Sequence, residues 1–74
     1  MKTVSSKAAK QLGNVARYAS YKHERMEAIK ALGNLGNEEA AEQLGNVARY
    51  AAYSDEREEA IRQLGRIRGG PGTI

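Results

Sequence analysis

The sequence has no cysteine, no phenylalanine and no tryptophan, and its one proline, Pro71, sits in the closing run Gly69-Gly70-Pro71-Gly72. Without cysteine there is no disulfide, no thiolate metal ligand and no cysteine nucleophile. With four Tyr as the whole aromatic complement, the core has to come from Ala, Leu, Ile, Val and Met, a set that suits closely packed helices. No stretch approaches the roughly 18 apolar residues of a membrane-crossing helix. The opening Met1-Lys2-Thr3-Val4-Ser5-Ser6 lacks the apolar run of a secretory signal, so a soluble cytoplasmic protein is expected, with no membrane partner. Seventy-four residues make a single domain, 1–74, close to the smallest size that supports an independent core.

The net charge of +3 is unevenly spread. Residues 1–22 carry Lys2, Lys7, Lys10, Arg17 and Lys22 and no acid, whereas residues 38–59 carry seven acids against Arg49 and Arg57. Arg62, Arg66 and Arg68 then make the end basic again. A nucleic-acid-binding domain more often presents one continuous basic face.

What is present above all is a repeat. Gln11-Leu12-Gly13-Asn14-Val15-Ala16-Arg17-Tyr18-Ala19 recurs unchanged as Gln43 to Ala51, an offset of 32. Residues 8–35 aligned on 40–67 give 19 identities in 28 pairs, which chance does not produce. The copies run over about 5–36 and about 37–68, followed by a flexible tail, 69–74.

Each copy reads as two helices. Ala8, Ala9, Leu12, Val15, Ala16 and Ala19 fall at the three-and-four spacing of one helix face, and Arg25, Ala28, Ile29, Leu32 and Leu35 form a second stripe. Gly36-Asn37 ends one helix and caps the next, with Glu38 and Glu39 in a favourable first turn. Ser54-Asp55 marks another start, Asp55 and Glu58 having the spacing of a capping box. An alternative runs one helix from Val15 to Leu32, which contains no Gly or Pro; it would place Lys22 and Arg25 in its own apolar seam. With the two-helix reading Gly13 and Gly45 lie inside helices at a cost of about 1 kcal/mol each against Ala. Close approach of a neighbouring helix is the expected compensation.

The segment Glu24-Arg25-Met26-Glu27-Ala28-Ile29-Lys30-Ala31-Leu32-Gly33-Asn34-Leu35-Gly36 resembles the inner helix of HEAT-like repeats, in particular the short bihelical kind named after phycobiliprotein lyases. The matching positions are Arg25, Ala28, Leu32, Gly33 and Leu35, and again Arg57, Ala60, Leu64, Gly65 and Ile67. The resemblance spans about 60 residues and departs from the family pattern at Glu24 and Glu56, where an aliphatic residue is usual, and in the Leu-Gly-Asn of the first helix. It implies an all-α fold of two tandem αα-hairpins, four helices stacked as a short right-handed solenoid.

Catalysis finds little footing. Deoxyhypusine hydroxylases, which carry repeats of this kind, bind iron through His-Glu pairs that follow the Arg by one and two residues; those positions here are Met26 and Glu27. His23-Glu24 precedes Arg25, the second copy has Asp55-Glu56, and one histidine cannot supply a di-iron site. There is no Ser/His/acid set and no phosphate loop. A non-enzymatic chain without cofactor or metal is expected.

The polar residues that repeat are more informative. Gln11, Asn14, Tyr18 and Tyr21, bordered by Arg17, recur as Gln43, Asn46, Tyr50 and Tyr53 with Arg49. They form a strip beside the apolar face that either contacts a partner or merely reflects recent duplication, with Tyr rings packing over the turns. Lys7 and Lys10 become Glu39 and Glu42, so stacked first helices would oppose unlike charges, or these are ordinary solvated groups. Arg25 and Arg57 are read as structural, bonding turn carbonyls or a neighbouring acid. Two repeats are fewer than the three or so that usually make a stable solenoid. The end helices should therefore expose apolar surface and favour a homodimer. The expected role is a module for protein–protein interaction or self-assembly; the alternative is nucleic-acid binding through the basic first helix and Arg62, Arg66 and Arg68.

Overall fold

A computed structural model describes residues 2–68, with side chains from Ser6 to Ile67; the tail expected at 69–74 lies outside them. Four helices follow one another: α1 (Lys2–Tyr18), α2 (Lys22–Leu35), α3 (Glu38–Tyr50) and α4 (Ser54–Arg68).

The breaks between helices explain their order. α1 stops at Tyr18, Tyr21 is extended (φ −107°, ψ 140°), and its carbonyl accepts from the N–H groups of Glu24 and Arg25, both at 3.1 Å. The single helix from Val15 to Leu32 is thus not formed. α3 and α4 are separated in the same way, with Tyr53 accepting from Glu56 and Arg57 at 3.1 Å. α4 begins at Ser54, so Asp55 lies inside its first turn and is not its N-cap. The capping box expected there is replaced by an ion pair between Asp55 and Lys22. The join between copies matches expectation: Gly36 is left-handed (φ 66°), its N–H donating to the Leu32 carbonyl. The Asn37 side chain accepts from the Ala40 N–H at 2.8 Å. Only a residue without a Cβ takes that φ cheaply, and Asn is among the best N-caps.

α1 packs on α2 and α3 on α4, making two hairpins; the hairpins then stack, α1 on α3 and α2 on α4, with a diagonal contact between α2 and α3. Ala9, Ala16, Ala28, Ala40 and Ala60 share the buried core with Ile29, Leu32, Leu44 and Val47. The alanines let helix axes come close, while burial of each larger side chain contributes about 1.5–3 kcal/mol. Every buried side-chain nitrogen or oxygen among the described residues has a hydrogen-bond partner.

The two apolar stripes are not buried alike. Val47 is fully buried, yet its counterpart Val15, expected in the core, is 41% exposed; Ile29 is fully buried, yet Ile61 is 57% exposed. Each hairpin has a seam that closes on itself and a flank on either side that only a neighbouring hairpin can cover. The first copy lacks a neighbour before it among the described helices, and the second lacks one after it.

The glycines follow the same division. A Cβ at Gly13 would run into the Gln43 side chain, with Cγ 2.9 Å away, and one at Gly33 would run into Gln63, with Cβ 3.0 Å away. The close approach expected at Gly13 is therefore present. At Gly45 it is not: a Cβ there would meet only Arg49 of its own helix, at 3.5 Å, and at Gly65 it would meet nothing within 4 Å.

Candidate binding surface

The aromatic residues singled out by the repeat lie on the surface. Tyr18, Tyr21, Tyr50 and Tyr53 are all more than half exposed. The Arg17 guanidinium carbon lies 5.0 Å from the Tyr18 ring centre and 5.8 Å from that of Tyr50, so one cation joins the two copies' tyrosines across α1 and α3. Tyr53 sits against Lys22 at 5.8 Å and Arg25 at 5.6 Å, while Tyr21 stacks on His23 at 5.9 Å. Such contacts contribute about 0.5–1 kcal/mol at exposed sites. Their main effect is to hold the rings in place.

The amides are less uniform. Gln11, Asn14 and Arg49 are exposed, but Gln43 and Asn46 are half-buried. Gln43 covers Gly13 and donates through Nε2 to Glu39 Oε2 at 2.9 Å, and Arg49 Nη1 bonds the Gly45 carbonyl at 3.4 Å. Gln11 and Gln43 are identical in sequence and unlike in environment. Arg17, Tyr18 and Tyr50 form the continuous part of the strip.

Beside it runs an ionic seam. Arg25 donates through Nε to Glu56 Oε1 at 3.0 Å and through Nη2 to Oε2 at 3.1 Å. Its Nη1 reaches the carbonyls of Ala19 at 2.8 Å and Ser20 at 3.3 Å. One planar side chain thereby ties the end of α1 to the start of α2 and the first turn of α4, a task for which its fixed fork suits Arg and not Lys. Arg57 repeats the local half of this arrangement, Nη1 to the Ala51 carbonyl at 2.7 Å. Both arginines are structural, as the sequence indicates. The carboxylate of Glu56 raises the Arg25 pKa, and the ion pair with Lys22 lowers that of Asp55 while raising that of Lys22. Glu59 is held below the usual carboxylate range by hydrogen bonds from Gln63, at 2.8 Å, and from Arg62.

Among the described residues, the ion pairs joining the copies are therefore Lys22–Asp55 and Arg25–Glu56, both between α2 and α4. The pairing expected between Lys7 or Lys10 and Glu39 or Glu42 is not formed; Lys7 and Lys10 face solvent, and Glu39 is taken up by Gln43. Sequence reasoning passed over Glu56, buried to within 1%. The signal available was its place one residue before an inward arginine, but Glu24 holds the same place and is exposed.

Residues 24–50 match the family model described as PBS lyase HEAT-like repeat. Those residues form a HEAT-like repeat. The matched segment starts in the first turn of α2 and ends with α3, so the family frames its HEAT-like unit across the join at Gly36-Asn37. No curated protein and no solved structure matches the chain. HEAT-like repeats are generally protein-interaction modules. No helix among the described residues is long and apolar enough to cross a membrane.

Proposed function

We propose that the chain is a small non-enzymatic module that binds a protein partner through the surface centred on Arg17, Tyr18 and Tyr50. The observation that carries this reading is the pair of tyrosines, 66% and 65% exposed, both in contact with the one guanidinium between them. Tyr and Arg are the side chains most often responsible for binding energy at protein interfaces. A ring already held by a cation loses less freedom on binding than a free one. Tyr21 and Tyr53 extend the surface along the turns, and Gln11 and Asn14 along α1.

The test is a chain carrying both Tyr18→Ser and Tyr50→Ser, compared with the parent for capture of protein partners from its native cell extract. Capture should fall by at least about tenfold, the effect of losing one hot-spot residue. The melting temperature should not change, since both side chains stand in solvent. Undiminished capture moves the site elsewhere, and a collapsed melting temperature assigns the tyrosines to the fold. The nucleic-acid reading draws less support, because Arg62 is engaged by Glu59 at 2.8 Å and Arg66 by Gln63 at 2.6 Å. A steep salt dependence in a titration with mixed-sequence single strands would revive it.

A further inference from the structure

The internal interface between the two copies has a front and a rear. The rear of the first copy contributes Gly13, Arg25, Ile29 and Gly33; the front of the second contributes Gln43, Val47, Glu56 and Gln63. Moved by the repeat offset of 32, each member of this interface has a counterpart on a free end of the molecule. The free front of the first copy carries Gln11, Val15, Glu24 and Ala31, and a shallow groove there is lined by Leu12, Val15, Glu24, Glu27 and Ala31. The free rear of the second copy carries Gly45, Arg57, Ile61 and Gly65, and an open groove there is lined by Ala41, Gly45, Arg49, Leu64 and Ile67.

We infer that these two ends bind each other in different molecules: the chain associates head to tail with a second copy of itself, α1 and α2 of one chain seating on α3 and α4 of the next and repeating the internal interface. Four features support that one occupant. Arg57 already holds the Ala51 carbonyl through Nη1, as Arg25 holds Ala19, and has no carboxylate partner among the described residues, where Arg25 has Glu56. The residue equivalent to Glu56 is Glu24, exposed on the front. Over Gly45 lies only the Arg49 side chain of its own helix, where Gly13 holds Gln43 of another, and Gln11 is the matching glutamine. Val15 and Ile61, the exposed counterparts of the fully buried Val47 and Ile29, would both be covered by the same contact.

The charges agree as well. Glu59 feels Lys30 of the first copy, and the shifted pair is Arg62 facing Glu27 of the incoming chain. The front of α2 thus offers two acids, Glu24 and Glu27, where the rear of α4 offers two bases, Arg57 and Arg62. A symmetric contact, front on front or rear on rear, would join two surfaces that both carry Glu24 and Glu27, or both carry Arg57 and Arg62, and would leave Arg57 without the acid that Arg25 has in Glu56. Heterologous contact of this kind leaves one free front and one free rear, so association continues beyond two chains.

The experiment uses sedimentation of the full chain at high micromolar concentration, with two exposed single substitutions, Val15→Glu on the front and Ile61→Glu on the rear. The parent should exceed the monomer mass and rise with concentration. Each variant alone should weaken association at least about tenfold, because every contact in it then sets a carboxylate on an apolar surface. An equal mixture of the two should recover a dimer and stop there, since one sound front and one sound rear remain. A parent that stays monomeric overturns the inference. So does a mixture that stays monomeric, or either variant that self-associates as strongly as the parent, which would mark a symmetric dimer. If either variant melts early, Glu24→Lys and Gly65→Glu replace them, both at exposed positions. The tyrosine surface is untouched in all four variants, so loss of partner capture and loss of self-association remain separable.

Discussion

Arg25 and Glu56 meet through two parallel hydrogen bonds across the boundary between the sequence copies, Nε to Oε1 at 3.0 Å and Nη2 to Oε2 at 3.1 Å. Glu56 is almost wholly buried, whereas the arginine keeps an edge in solvent and two further bonds to the carbonyls of Ala19 and Ser20. Substitution of Glu56 by Ala removes the charge and leaves a gap between α2 and α4. The expected loss is about 2 kcal/mol, below the ~3–5 kcal/mol of a fully buried pair because the arginine can turn to water. Glu24→Ala, at the equivalent exposed position, should change stability by less than about 0.5 kcal/mol. Urea denaturation of both variants checks the contrast; equal effects would contradict it.

The glycines give a second contrast. Ala at Gly33 would collide with the Gln63 amide, Cδ at 2.7 Å, which bonds to Glu59 and Arg66 hold in place, and should destabilise the chain by about 1–3 kcal/mol. Ala at Gly65 meets nothing within 4 Å, so only the helix preference operates, and it should stabilise by up to about 1 kcal/mol. For a chain of this size that corresponds to a rise of about 4–8 °C in melting temperature. Thermal melts at low protein concentration, where chains are separate, read the sign of each change directly.

Stability should depend on pH at the acid side through Glu59 and Asp55. Both carboxyls are held below their ordinary values of 4.5 and 3.8, so what they contribute is present in full above those values and is lost as pH falls through the lowered ones. Lys22 acts in the opposite sense: its pKa lies above 10.5, so its contribution is present below that value and disappears as pH rises through the raised one. A plateau through neutral pH with a fall in acid is expected. Glu59→Gln should shrink the acid fall, since the group that titrates is gone; melts of parent and variant from neutral to acid buffer compare the two, and an unchanged fall would assign it to other groups.

Much of this arrangement can be read from the residues. The offset of 32, the αL turn at Gly36, the cap at Asn37 and the inward arginines all follow from patterns confined to a few neighbouring positions. The remainder cannot be read that way. Glu24 and Glu56 have the same following residue and the same place in the repeat, yet one is solvated and one is buried. Val15 and Val47 sit in nine-residue stretches that are identical. Local sequence cannot distinguish them, because their surroundings depend on which side of the hairpin has a neighbour. Asp55 is a related case: its spacing to Glu58 fits a cap, but its carboxylate pairs with Lys22, 33 residues earlier.

The join at Gly36-Asn37 also acts as a gauge. Gly36 closes one helix and Asn37 opens the next, and no residue between them is spare. One inserted residue taken up by α3 would turn that helix by about 100° and carry Gln43 away from Gly13. The period of the sequence is therefore cut to the angular setting of the helices, and a further copy of 32 residues lengthens the chain with that setting kept.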